Sequence, residues 1–334
     1  AEGGIMWGLN PERPVSRRQA LALGGGVAGG VLVTSSGVGL ARRRDAGLDK
    51  GHARVLSQGG SLPVDQMERI LDAKADVSSG LVHFSIDRDD AGTVRGPQGV
   101  PFSGSFEING DLYFQPLKDG RLAFFNGDIA LRPEELNPVI DAVIANGLVF
   151  QAMHQHYFDL RPMWWFIHMR GLGDPLALAR SMHNVLAVTS TPFPQQPPAN
   201  PTTPFDVKRL ERILHGKASV GSNGVVTVDV DRTDRITIEH VLVNPGANIS
   251  TNVQFEPLTS SGSNAAVAPD FSMTTGEVMP VTRVMRHQGW QDHCLYNQET
   301  GEHPQLYFSH MLKTGDPYAL ADEIRKGLNQ TAAQ

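Results

Sequence analysis

Three histidines carry the sharpest chemical signal in this chain. His154 and His156 stand two residues apart, the spacing that puts two side chains on one side of a strand. His168 follows, within reach on a neighbouring strand. Asp128 or Glu135 could add a carboxylate. Two or three imidazoles with one carboxylate suit zinc or a similar divalent metal, which can activate water for hydrolysis. The competing reading is that the histidines satisfy one another, or backbone groups at a strand end. No G-x-S-x-G, P-loop or H-E-x-x-H occurs, so no motif fixes a substrate. The single cysteine, Cys294, excludes an intramolecular disulfide and any Cys-based zinc or iron–sulfur cage.

Other candidates are weaker. His287, His293, His303 and His310, with Asp292 and Glu302, are irregularly spaced and read as a degenerate site. Asp87, Asp89 and Asp90, like Asp229, Asp231 and Asp234, lack the glycine and distal glutamate of a calcium loop and read as turn residues. Trp164, Trp165 and Phe166, with Tyr157 and Phe158, form an aromatic cluster, half of which alternation assigns to the core. With a net charge of −6 and no aromatic-basic platform, the chain is not a nucleic-acid binder. Its 40% hydrophobic and 19% charged residues mark it as globular.

The elements that must position these residues occur twice. Glu68-Arg69-Ile70-Leu71 returns as Glu211-Arg212-Ile213-Leu214, His168-Met169 as His310-Met311, and Gly173-Asp174-Pro175 as Gly315-Asp316-Pro317. The order is kept and the offset stays between 141 and 144 residues. Each repeat predicts an opening helix (Val64 to Ala73, Phe205 to His215) and a strand (Leu81 to Asp87, Val225 to Asp231). Further strands are expected at 105–116, 122–131, 149–153 and 163–169, with partners near 251–255, 271–279 and 306–311. A helix is expected over Glu134 to Asn146. A last helix should follow Asp174-Pro175 and Asp316-Pro317, where Asp caps and Pro suits the first turn. The result is an α+β fold class: two tandem repeats, each a mostly antiparallel sheet with helices on one face.

The N-terminus reads as an address. Ser16-Arg17-Arg18 precedes an uncharged run from Gln19 to Ala41, in the manner of a twin-arginine export signal. As a helix its 23 residues span about 34 Å, enough to cross a bilayer. Gly39-Leu40-Ala41 offers a cleavage site, but the reading expects a retained transmembrane anchor. Gly25, Gly26, Gly29 and Gly30 place small residues on one helix face, suited to packing against other transmembrane helices.

The partition expected is therefore a cytoplasmic tail (1–18), an anchor (19–41), a linker (42–62), a first repeat (63–190), a spacer with six prolines (191–204) and a second repeat (205–334).

Gly127-Asp128-Ile129, Glu135-Leu136-Asn137-Pro138-Val139-Ile140, Ala152-Met153-His154-Gln155-His156 and the later His168 together resemble the DUF1259 (LppY/LpqO-like) family. Its pattern is a GD strand, an EVNPV helix, an ALHNH strand end and a later histidine strand. The resemblance covers about residues 63–330. In the second repeat the Asn-Pro pair is missing and the paired histidines shrink to His293. The resemblance implies an exported, often membrane-attached bacterial protein, and its paired histidines strengthen the metal reading at His154 and His156.

The first functional expectation is a non-catalytic accessory subunit. It would be anchored singly in the inner membrane, with its bulk in the periplasm. Its partners would be the lipid bilayer and the helices of a larger complex, photosynthetic or respiratory. The alternative is an exported metal-binding protein or metal-dependent hydrolase using His154, His156, His168 and Asp128. A small-ligand binder in the cleft between the repeats is a third.

Overall fold

The computed structural model describes residues 55–197 and 200–333. The expected anchor, with Gly25, Gly26, Gly29 and Gly30, lies outside the described residues, as does most of the first linker. Among the described residues no helix is long and apolar enough to cross a membrane.

The first repeat runs α1 (Val64–Leu71), β1 (Asp76–Ser78), β2 (Leu81–Asp87), β3 (Val94–Arg95), β4 (Pro101–Phe102), β5 (Asn109–Leu117), β6 (Leu122–Leu131), α2 (Leu136–Ala145), β7 (Val149–His154), β8 (Trp165–Gly173) and α3 (Pro175–Leu186). The second runs α4 (Val207–Leu214), β9 (Lys217–Val220), β10 (Val226–Val230), β11 (Thr237–Ile238), β12 (Val241–Leu242), β13 (Thr251–Pro257), β14 (Ala265–Thr274), α5 (Thr275–His287), β15 (Gln291–Asp292), β16 (Glu302–His303), β17 (Leu306–Gly315) and α6 (Pro317–Leu328).

The opening helices form because their apolar residues fall on one stripe: Met67 and Leu71 in α1, Leu210 and Leu214 in α4, all buried. The closing helices start as their sequences predict. Asp174 accepts from the Ala177 amide at 2.8 Å and Asp316 from the Ala319 amide at 2.8 Å, each with Pro at the first helical position.

Each repeat builds a six-stranded antiparallel sheet, in the orders β1-β2-β5-β6-β8-β7 and β9-β10-β13-β14-β17-β15. The three helices of each repeat pack on one face of its own sheet. The opposite faces of the two sheets meet. Two mixed apolar clusters hold them together: Phe102, Tyr157 and Trp164 with Ala266 and Leu312, and Leu81, Leu117 and Phe124 with Ile236 and Phe308. The layers are helices, sheet, sheet, helices.

Strand β6 shows why its sequence lacks polar alternation. Phe125, Ile129 and Leu131 face the helices. Phe124, Asn126, Asp128 and Ala130 face the other repeat. Both faces are covered, so every second residue is apolar for one core or shaped for the other. Strand β14 repeats this, with Phe271 and Met273 on the helix side and Asp270 on the shared side.

Two expectations need correction. The strand expected at 271–279 stops at Thr274, where a reciprocal cap between Thr274 and Glu277 starts α5. That helix keeps a proline, Pro280, at the position of Pro138; only the asparagine is lost, to Met279. The proline-rich spacer is tied to the first repeat along its first part. Gln195 takes the Asp72 carbonyl at 2.9 Å through its amide, and its side chain bonds the Asp87 amide and carbonyl at 3.0 Å each.

Candidate metal centre

The register of the sheets sets the site. Asp111 pairs with Asp128 across β5 and β6, and Asp128 with His168 across β6 and β8. The second sheet carries the matching row, Asn252, Asp270 and His310 across β13, β14 and β17. Both rows lie on the faces that meet. Each therefore runs from oxygen ligands to an imidazole, and the two line one cavity of about 60 Å³ between the sheets.

His154 ends β7, opposite Phe166. A bulge at Gln151 shifts the register ahead of it, which sets Ala152 opposite His168 and turns His154 to the inner face. His156 follows in the loop. The two rings lie 5.1 Å apart between centroids. Repeat symmetry would put a second such pair 142 residues on, but Tyr296 and Gln298 stand there. Tyr296 pairs with Phe308 as His154 pairs with Phe166. It also stacks on the His154 ring at 3.6 Å.

The close triad is His154, His156 and His310, each with a ring nitrogen within 4.8 Å of the others. His310 comes from the second repeat. His168 stands behind, its ring 5.1 Å from that of His154. The second repeat thus builds no cluster of its own among the described residues. It completes the cluster of the first.

Glu107 adds the carboxylate. Its Oε2 lies 3.3 Å from His156 Nδ1 and 3.3 Å from His310 Nδ1. Ligand atoms held tetrahedrally at about 2.1 Å from one zinc stand roughly 3.4 Å apart. Both contacts match that edge. Glu107 is 3% exposed, its amide donates to Gln254 Oε1 at 2.9 Å, and Tyr157 donates to its Oε2 at 3.0 Å. It sits at φ 64, a costly conformation for a residue with a Cβ, as does its repeat counterpart Asn248.

The electrostatics of His154, His156 and His168 suit a metal more than a proton. Burial, then the neighbouring imidazoles, holds His154 and His156 well below the ordinary histidine range; His168 is driven to about 3. All three are neutral at pH 7, the form that ligates. Burial opposes charge on His310 too, but Asp270 and Glu107 outweigh it and raise its pKa. Both ring nitrogens of His154 are buried without a hydrogen-bond partner, and Nδ1 of His156 and His310 have only the Glu107 oxygen at 3.3 Å, outside hydrogen-bond geometry. Such groups cost about 1–3 kcal/mol each when left bare. The reading in which the histidines satisfy one another is therefore not what the structure builds. The His156 and His310 rings stack at 3.7 Å, with planes 21° apart. Lone pairs lie in the ring plane, so rotation about the soft histidine χ2 is needed for them to converge on one ion.

The other sequence candidates disperse. Asp128 lines the cavity beside His168 and accepts from Asn248 at 3.2 Å. Glu135 is elsewhere: it pairs with the buried Arg88 at 2.9 Å and accepts from Ser190. Arg232, Glu277 and Asp234 repeat that network in the second half. His293 is buried beside Tyr157 and Phe158, and burial holds it to about 4. Burial pushes the Cys294 thiol up, away from nucleophile chemistry. Tyr157, Trp164 and Phe166 are core, while Phe158 is 63% exposed.

Sequence reading missed Glu107 altogether and assigned His310 to a failed second site. The signal for His310 was its exact repeat partner, His168. For Glu107 it was only the Glu-to-Asn exchange between the repeats.

No curated protein and no solved structure matches the chain. The family described as a Domain of Unknown Function (DUF1259) matches residues 65–188 and again 208–330, and the chain belongs to that family in two tandem copies.

Proposed function

We propose that the chain is an exported metal-binding protein that holds one divalent ion, such as zinc, between its two repeats. His154, His156, His310 and Glu107 are the ligands. The observation that carries this reading is the close set of three buried imidazoles, both ring nitrogens of His154 among them without a partner, with the Glu107 carboxylate 3.3 Å from His156 and His310. Four protein ligands fill a tetrahedral zinc, whereas hydrolytic sites keep one position open for water. The set therefore favours holding a metal over hydrolysis. The export address at residues 16–41 supports a periplasmic setting. The test is elemental analysis of the full chain after zinc loading and desalting. One zinc per chain is expected, lost in the H154A/H156A variant. A wild-type chain that emerges folded and without zinc would remove the proposal.

A second reading is an accessory subunit of a larger membrane complex. Beyond the anchor-like segment, one feature of the described residues favours it. Strand β7 is outermost in its sheet, and Val149, Phe150 and Met153 on it stay exposed. Protected edges normally carry charge or proline there. Native electrophoresis in mild detergent decides this: a lone monomer discards the subunit reading.

A further inference from the structure

The cavity between the sheets has an outer and an inner end. The Asp111 side chain, at the outer end, is 26% exposed. Asp128 is 8% exposed, and His168, Glu107 and His310 are each 3%. Asp229 lines the same cavity from the second repeat, close enough for the Asp111 charge to act on it. The lining holds five carboxylates, from Glu107, Asp111, Asp128, Asp229 and Asp270, and no lysine or arginine. Asn248 on Asp128 and Asn252 on Asp229 bond these carboxylates through uncharged amides, while His83 Nε2 pairs with Asp111 Oδ1 at 2.6 Å.

Size narrows the occupant. About 60 Å³ holds an ion with a water or two, far below the several hundred Å³ of an organic-ligand pocket. Sign narrows it further, since an acidic wall repels phosphate and carboxylate groups. A separate observation points the same way. His168 lines the cavity, and its Nε2 is buried with no hydrogen-bond partner. It is not in the close triad, so the triad does not account for it. Through register it adjoins Asp128, and its ring lies 5.1 Å from that of His154.

We propose that this cleft is a divalent-cation conduit: Asp111 and Asp229 gather the ion, Asp128 and His168 hold it in transit, and the ion passes to His154, His156 and His310. The inference rests on the metal-holding reading. It assigns Asp128 and His168 a station on the path, outside the final ligand set. Charge-lined clefts raise association rates about 10- to 1,000-fold, and salt removes the gain.

The experiment follows Co²⁺ uptake by the full chain in stopped flow, read by the visible absorption of tetrahedral cobalt. The D111N/D229N variant is expected to load to the wild-type stoichiometry but about tenfold more slowly at low salt. Wild-type uptake should slow as salt rises, a readout that needs no variant. Equal rates for the two proteins, or a wild-type rate indifferent to salt, overturn the conduit. A wild type that takes up no cobalt at all overturns the metal-holding reading instead.

Discussion

Replacing His310 by alanine tests the claim that the two repeats share one metal. His310 is the only triad member from the second repeat. It is 3% exposed, and its Nδ1 stands 3.3 Å from Glu107 Oε2. Removing a group that merely supports a ligand costs about 10- to 100-fold in metal affinity, so losing a ligand itself should cost at least about 100-fold. That is about 2.8 kcal/mol at 1.4 kcal/mol per decade. Take zinc at about 1,000 times the wild-type Kd. It then stabilises the wild type by about 4 kcal/mol and the variant, at about ten times its own Kd, by about 1.4 kcal/mol. At about 2 °C per kcal/mol for a chain of this size, the zinc-induced rise in Tm drops from about 8 °C to about 3 °C. The assay is a pair of thermal melts for each protein, with chelator and with zinc, so any cost to the metal-free fold cancels. A full zinc-induced rise in H310A would refute the shared site and return the metal to the first repeat alone.

Three further outcomes follow from the packing. Glu135→Gln should destabilise the chain by about 3–5 kcal/mol, because it strips a partner from the fully buried Arg88; Glu277→Gln, whose side chain is 16% exposed, should cost less in the same denaturant titration. Burial raises Glu299, which sits across the repeat interface on Asn126 at 2.8 Å, to about 7. The folded state therefore holds that proton more tightly than the unfolded chain, whose glutamate titrates near 4.5. Stability from this group is complete below about pH 4.5 and is lost as pH rises to about 7, at most about 3 kcal/mol. Melts of wild type and E299Q across pH 4–8 should diverge in that window, and parallel curves would rule the contribution out. A Cβ on Gly127 would lie 2.3 Å from the Asp111 carbonyl, so Gly127→Ala must push β6 off β5 and should cost about 1–3 kcal/mol or more; an unchanged denaturation midpoint would contradict that geometry.

Much of the architecture was legible along the chain. Local rules decide helices and caps, and Met67 with Leu71, or Asp174 with Pro175, obey them without help from distant residues. The duplication was legible because both copies must bury the same faces. Where local signals compete, the reading slipped: residues 275–279 resemble a continuing strand until Glu277 is seen to cap Thr274. The site was half legible. His154 and His156 announce themselves by spacing, and Asp128 with His168 by the family pattern. Sequence alone could not choose the partner set, because β8 and β17 carry equivalent histidines, His168 and His310. The docking of sheet on sheet brings the distant one into the triad and leaves the nearer one on the cavity wall. Glu107 enters for the same reason, through an unusual φ and contacts to Gln254 and Tyr157 that no spacing encodes. Sequence by itself determined the two copies, their elements and two of the three clustered histidines. Tertiary structure decided that the copies share one histidine cluster and one cavity, because only face-to-face packing converts two one-sided rows of polar residues into one enclosed set.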